Sequence, residues 1–212
     1  MRFMPFRVPA PALTLAAVLL FTPLPAAAQD QDTSSEAQAL GLALEGFEYP
    51  HPVHFLPLTV EGQDVRMAYM DVKPAGNPEE APAVVLFHGK NFFGEYWKDT
   101  IAALTQAGFR VVVPDQIGFG KSSKPDIHYS FHQMAAHTRQ LLQKLGIDKA
   151  AVVGHSMGGM LVTRFALMYP EVTTHLVLEN PIGLEDYRTS VPYTPTEEHY
   201  RDALNATREG IR

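Results

Sequence analysis

Residues 154–158 read G-x-S-x-G, a pattern that combines a hydroxyl at Ser156 with glycine on both sides. A serine hydroxyl attacks an ester-like carbonyl when a base takes its proton and preorganised donors stabilise the developing oxyanion. The pattern lies directly between an apolar run at 150–153 and a helical pattern at 157–169. A sharp strand-to-helix turn strains the central backbone and needs glycine beside it, at Gly154 and Gly158. The sequence therefore predicts that Ser156 projects its hydroxyl above a sheet.

Two other functions of a glycine-rich turn compete with this interpretation. Serine commonly caps the N-terminus of a helix, and Ser156 could do so here. A cap alone does not require glycine on both sides, however. A phosphate-binding loop is disfavoured, because no Gly-Lys-Ser/Thr sequence follows and the spacing is not G-x-G-x-x-G. A reactive hydroxyl is the leading hypothesis for Ser156.

The elements around the turn alternate between strands and helices. Short continuous apolar runs predict strands that are buried on both faces, and helical stripes with capping signals separate them. Two earlier runs, joined by a loop with a turn glycine, predict an antiparallel hairpin. The predicted strands are 53–60, 65–72, 83–87, 109–113, 150–153 and 175–178; helices are predicted around Trp97–Leu104, after Ser130, from Met157 and with Pro195 as first residue. This order requires an α/β protein with a mostly parallel sheet and right-handed crossovers.

Three motifs in this order resemble the α/β-hydrolase superfamily over most of residues 50–200. They are His88-Gly89 with Lys90, the sequence DQIGFGKS at 115–122, and the G-x-S-x-G turn. The resemblance implies the α/β-hydrolase fold, a mostly parallel sheet with an N-terminal antiparallel hairpin. On that comparison the chain carries six of the usual eight strands and the start of a helical cap.

The resemblance also implies functions for individual residues. Ser156 would be the nucleophile, and the backbone N–H groups of Met157 and of Lys90, or Asn91 one residue along, would form the oxyanion hole. Gly154 and Gly158 would shape the nucleophile elbow, which is the sharp turn that carries Ser156. Gly89 would shape the loop that supplies the other part of the oxyanion hole. His88 is expected to be a structural hydrogen-bonding residue. The residues Asp115, Gly118 and Gly120 are expected to shape turns.

The acid and the histidine of a triad follow the serine in proteins of this kind. Only His175 and His199 follow Ser156, the first at the strand end opposite the elbow and the second in the last helix. Neither position suits a catalytic base. Glu179, at the exit of the sixth strand, is a candidate acid, and a solvated strand-end carboxylate is its alternative interpretation.

The N-terminus has the layout of a secretory signal peptide. Arg2 and Arg7 precede an apolar stretch, and three alanines at 26–28 form an A-x-A cleavage site. The apolar core is too short for a stable membrane anchor. We expect a signal peptide at 1–28 that is cleaved after Ala28, a mobile mature N-terminus at 29–48, a hydrolase core at 49–180 and the start of a cap at 181–212. The protein would then be secreted or periplasmic.

Composition excludes several classes of partner and cofactor. The 23 acidic residues outnumber the 17 basic ones and no basic run occurs, so nucleic acid is not an expected partner. The absence of cysteine excludes disulfides, thiolate metal sites and a lipid-modified cysteine. The pairs His51/His54 and His128/His132 could hold zinc, but no third ligand is evident, so we predict no metal and no cofactor.

The leading hypothesis is a serine hydrolase that acts on a small ester or related acyl bond through an acyl-enzyme at Ser156. A serine at the elbow, where dehalogenases and epoxide hydrolases use aspartate, does not support their alkyl-enzyme chemistry. The alternative is a truncated or degenerate member of the superfamily without turnover, which at most binds a ligand or a partner. That alternative depends on the missing last two strands and the missing base.

Overall fold

The apolar runs form a six-stranded sheet in the computed structural model, which describes residues 40–76 and 78–210. Neighbouring strands follow the order β1-β2-β4-β3-β5-β6. The pairs β1/β2 and β2/β4 are antiparallel, and the other three pairs are parallel. The strands are β1 (Val53–Val60), β2 (Gln63–Val72), β3 (Ala83–Phe87), β4 (Arg110–Pro114), β5 (Ala150–His155) and β6 (Thr173–Glu179). The predicted class, a mostly parallel sheet with an N-terminal hairpin, is confirmed.

The hairpin turn is tighter than the sequence predicts. Glu61 and Gly62 both have positive φ, 48° and 77°, and Val60 pairs directly with Gln63. Two central residues of this kind are typical of the type I′ turn, whose twist matches that of the flanking strands. β2 therefore begins at Gln63, two residues before the predicted start, because the turn uses two residues where four were expected.

In the described part of the chain, four α-helices connect or follow the strands. Ser130 begins the second of them as predicted, because its hydroxyl accepts the Gln133 N–H at 3.2 Å. The last helix begins one residue later than predicted, because the Pro195 carbonyl accepts the N–H groups of Glu198 and His199 and makes Pro195 the cap residue. The helices are α1 (Lys98–Gln106), α2 (Phe131–Lys144), α3 (Met157–Met168) and α4 (Thr196–Gly210), and 3₁₀ turns occupy Gly94–Trp97 and Tyr187–Thr189.

Helices cover both faces of the sheet, as the side chains of β3 show. Val84 and Leu86 belong to a cluster that includes Trp97 and Ile101, on the α1 side. The alternate residues of β3 belong to a second cluster, which includes side chains of α2 and α3. All five residues of β3 are buried. Burial on two faces explains why β3 reads as a continuous apolar run.

β6 differs from the strands at the centre of the sheet. It pairs with β5 on one side, and the described residues place no strand on its other side. Its apolar residues Leu176, Val177 and Leu178 are 42%, 47% and 40% exposed. β6 is therefore an edge strand with an apolar surface on both faces of the described sheet.

The predicted signal peptide at 1–28 lies outside the described residues, as does the part of the predicted mobile segment before residue 40. No helix among residues 40–76 and 78–210 combines the length and hydropathy needed to cross a bilayer.

An ion pair fixes the start of β4 against β2. The Arg110 guanidinium donates from Nε and Nη2 to the two carboxylate oxygens of Asp71, at 2.8 and 2.7 Å. The two side chains are only 15% and 13% exposed. The hydrogen bonds to Asp71 raise the pKa of Arg110 above its ordinary value. This bidentate pair is the strong form of a protein salt bridge.

We expect Asp71→Asn to lower the free energy of unfolding by about 2 kcal/mol, because it leaves a mostly buried guanidinium without its counter-charge. Urea denaturation measures the change. The matched control is Lys73→Gln, which removes the exposed pair with Glu79 and should leave the unfolding midpoint unchanged. Equal effects of the two substitutions would contradict a structural function for the buried pair.

Candidate active site

Ser156 stands between β5 and α3 with a strained backbone. Its φ is 54° and its ψ is −118°, outside the regions that residues with a side chain normally adopt. The strain that the sequence predicts for this turn is therefore present. The conformation places the serine at the carboxyl end of β5, where ligands bind in open α/β sheets.

Glycine is required around Ser156 because other backbone comes too close for a side chain. A Cβ at Gly154 would collide with the carbonyl of Gly158, and a Cβ at Gly158 would collide with the carbonyl of Phe87. A Cβ at Gly89 would lie 3.2 Å from the Cβ of Ser156. The elbow thus packs closely against the end of β3, and the His88-Gly89 motif lies next to Ser156.

His88 is a structural residue. It is fully buried, its Nε2 accepts the Gln116 N–H at 3.0 Å, and its Nδ1 lies 2.9 Å from the Gly89 carbonyl, which it can approach only as a donor. Burial lowers the pKa of His88, so the neutral imidazole is favoured. Both ring nitrogens are engaged, and the ring joins the end of β3 to the loop after β4.

Asp115 has a larger function than the turn residue that the sequence predicts. Its Oδ1 accepts the Gly94 N–H at 2.6 Å, and its Oδ2 accepts the Lys121 N–H at 2.8 Å and the Tyr49 hydroxyl at 2.6 Å. The carboxylate is 1% exposed. Burial and the neighbouring Asp115 charge raise the pKa of Tyr49. Asp115 therefore joins three separate segments of the chain.

The two residues assigned to the oxyanion hole meet at one cavity. Met157 is the first residue of α3, where an N–H has no partner within the helix and the helix dipole favours negative charge. Lys90 follows Gly89 in a turn that is closed by the Phe92 N–H and the Gly89 carbonyl at 3.2 Å. Lys90 and Met157 both line a cavity of about 440 Å³. The structure thus brings these two residues together beside Ser156.

Glu179 is tied to the elbow through its backbone. The Ser156 N–H donates to the Glu179 carbonyl at 3.1 Å, and the Ser156 carbonyl accepts the Ile182 N–H at 3.2 Å. The Glu179 side chain is exposed and forms no hydrogen bond or ion pair with any described residue. It lies near the serine without being held in a particular orientation.

No histidine in the described part of the chain hydrogen bonds to the Ser156 side chain. His155 approaches the Tyr96 hydroxyl, with Nδ1 and Oη 3.4 Å apart, and lies beside the Phe92 ring. His175 is exposed beside Thr174, and His199 lies in α4. No three metal-binding side chains cluster within residues 40–76 and 78–210.

An aromatic group beside the elbow was missed by the sequence reasoning. The rings of Phe92 and Tyr96 lie 5.0 Å apart, and both flank His155. Burial raises the pKa of Tyr96, which stays protonated near neutral pH. The F-x-x-x-Y spacing over residues 92–96 is the sequence signal that could have predicted this group. The ring of His155 packs into this group and forms no hydrogen bond with the Ser156 side chain.

We expect Gly154→Ala to lower the free energy of unfolding by about 1–3 kcal/mol, because its Cβ has no room against the Gly158 carbonyl. Thermal and urea unfolding measure the loss. Gly76→Ala is the matched control, since no atom lies within 4 Å of a Cβ there. Unchanged stability of Gly154→Ala would contradict the close packing of the elbow.

Comparison with known proteins agrees with this geometry. The profile of the alpha/beta hydrolase fold matches residues 82–207. A crystal structure of a probable hydrolytic enzyme from Pseudomonas aeruginosa PAO1 is 50% identical with a TM-score of 0.76, over 84% of this chain and 57% of that chain. Rat bifunctional epoxide hydrolase 2 is 35% identical over 150 residues, which are 66% of this chain and 26% of that protein.

This chain thus combines the elbow, the buried His88 and the sheet order with similarity to proteins of the alpha/beta hydrolase fold. Epoxide hydrolase A from Mycobacterium thermoresistibile is another solved relative, 32% identical with a TM-score of 0.51, over 60% of this chain and 39% of that chain. The chain spans only part of the length of each of these proteins. With the family profile matched over more than half of its residues, the chain belongs to the α/β-hydrolase fold family.

Proposed function

We propose that the protein is a serine hydrolase that cleaves a small ester or related acyl bond through an acyl-enzyme on Ser156. The observation that carries the proposal is the strained Ser156, whose neighbour Met157 lines a cavity together with Lys90. A strained serine at a strand-to-helix turn has no structural benefit that would offset its cost, whereas a projecting nucleophile needs that conformation.

The chemistry follows from the positions of these groups. The Ser156 Oγ attacks the carbonyl carbon while a general base takes its proton, and the new oxyanion accepts hydrogen bonds from the N–H groups of Met157 and Lys90. Each such donor contributes about 10²–10³ in rate. Collapse of the tetrahedral intermediate breaks the bond to the leaving group, which receives the proton from the base. Water then attacks the acyl-serine and releases the acid.

The general base is the component that the described residues do not supply. Glu179 is the candidate acid that would orient such a base, because its backbone is bonded to Ser156 and its carboxylate is free. A base held by Glu179 would approach the serine from the β6 side. Gly89 packs against the serine on the other side, since a Cβ there would lie 3.2 Å from the Ser156 Cβ.

Serine at the elbow favours acyl chemistry over the epoxide chemistry that the names of several relatives state. A carboxylate that opens an epoxide forms an ester, which water can hydrolyse. A serine that opened an epoxide would form an ether, which water does not cleave under the same conditions. Turnover at Ser156 therefore requires a carbonyl substrate.

The alternative is a degenerate hydrolase that binds a ligand or a partner without turnover. One observation favours it: no histidine among the described residues reaches Ser156. Export to the periplasm or the medium, with cleavage after Ala28, is part of the proposal and is tested separately by N-terminal sequencing of the exported protein.

We expect a fluorophosphonate probe to label the protein once, at Ser156, and p-nitrophenyl butyrate turnover to fall at least about 100-fold in Ser156→Ala, as loss of a nucleophile predicts. Mass spectrometry of the labelled peptide locates the adduct. Ser190→Ala, which removes an exposed hydroxyl, is the control and should match the parent protein. Equal rates in the parent and Ser156→Ala, with no label, would reject catalysis and support the alternative.

A further inference from the structure

The cavity beside the elbow has an apolar lining. It has a volume of about 440 Å³ and begins at Lys90 and Met157. Beyond these two residues its wall consists of Gly118, Phe119, Tyr129, Ser130, Phe131 and Met134. Its size and composition are typical of a small-molecule site. We name it the first cavity.

The wall of the first cavity is held in place by local interactions. The Tyr129 hydroxyl donates to the Pro125 carbonyl at 2.7 Å, which fixes the ring. Glycine is needed at position 118 for two reasons. A Cβ there would lie 2.9 Å from the Tyr129 ring, and the φ of 98° is one that residues with a side chain rarely adopt. The cap at Ser130 fixes Phe131 as the first residue of α2. The cavity is therefore formed before any ligand enters.

A second cavity of about 390 Å³ also has Phe131 in its lining. Met160, Arg164 and Leu184 belong to its lining, and it shares only Ser130 and Phe131 with the first cavity. Phe131 is the one large side chain common to both linings. The Phe131 ring is thus the partition between the two cavities.

The strand order decides which half of a substrate would enter the first cavity. β5 lies between β3 and β6, so Lys90 follows the strand on one side of Ser156 and Glu179 ends the strand on the other. A base that is oriented by Glu179 returns its proton to the leaving group, which must then lie on the β6 side. The acyl group consequently points the other way, toward Lys90 and the first cavity.

We propose that the first cavity binds the acyl chain of the substrate and that Phe131 closes it, so that this residue limits the length of the chain. The proposal depends on the proposed function for its orientation of the substrate. The site takes uncharged acyl chains, because the apolar wall beyond Lys90 offers no compensation for a buried charge. Chains that reach Phe131 fill the cavity, and longer chains are excluded.

Ligand binding to the Ser156→Ala variant tests this without any need for turnover. Methyl esters from butanoate to decanoate are titrated while isotope-labelled methionine methyl groups are observed by NMR. Met134 and Met157 report on the first cavity and Met160 on the second, while Met67 and Met70 report on the buried core. We expect shifts at Met134 and Met157 alone, and affinity that rises about three- to fourfold per added methylene until the cavity is full.

Phe131→Ala should join the two cavities. The ester length that gives the highest affinity then increases, and decanoate shifts the Met160 methyl group in Phe131→Ala but not in the parent. Phe55→Ala is the matched control, since Phe55 lies on β1 and lines neither cavity. Unchanged Met67 and Met70 resonances show that each variant retains its core.

Three results would overturn the proposal: no shift at Met134 or Met157 with any ester, affinity that does not depend on chain length, or the same optimum length in Phe131→Ala as in Phe55→Ala. These results are separate from failure of the proposed function. If the fluorophosphonate did not label Ser156 but the esters still bound, Ser156 would be rejected as the nucleophile and the acyl-chain site would stand. Labelling without chain-length dependence would reject the site and keep the nucleophile.

Discussion

The left-handed backbone at Ser156 is the constraint on which the rest of the site depends. A residue with a side chain at a φ of 54° is strained, and the strain persists only where the surroundings fix the chain on both sides. Here the Ser156 N–H is bonded to the end of β6 and its carbonyl accepts two N–H groups from the residues that follow. Glycine at 154 and 158 allows backbone contacts that no larger residue permits. The sheet edge and the start of α3 together hold the conformation.

A second layer of buried hydrogen bonds positions the loops that face the serine. His88 and Asp115 follow neighbouring parallel strands, and each joins its own loop to another. His88 is neutral because burial lowers its pKa, and Asp115 keeps three donors on its two oxygens. Side chains whose polar atoms are already hydrogen bonded, as in His88 and Asp115, are poor catalysts, but they hold the loops in position. The site therefore separates residues that hold the loops from the serine that would react.

The sequence predicts the strands and the elbow because each of these has a local signal, whereas the meeting of Lys90 with Met157 is implied by the resemblance to the α/β-hydrolase superfamily. Apolar runs give the strands, and glycine spacing gives the turn. It does not predict that Asp115 accepts from Gly94 and Tyr49, which are 21 and 66 residues away in the chain. Nor does it predict Phe131 as a partition, because that position depends on how α2 packs beside α3. Contacts between distant segments have no periodic pattern in a single sequence.

The described residues complete one side of the site and leave the other open. On the β3 side, Lys90 and Met157 line an apolar cavity, and Gly89 lies so close to the serine that a Cβ there would be 3.2 Å from the Ser156 Cβ. On the β6 side lie Glu179, an exposed side chain without a hydrogen bond or ion pair to the described residues, and an edge strand whose apolar residues are 40–47% exposed. A serine without a base is a weak nucleophile. The step that decides between hydrolysis and simple binding is therefore proton transfer on the β6 side, where a base oriented by Glu179 would have direct access to both the serine and the leaving group.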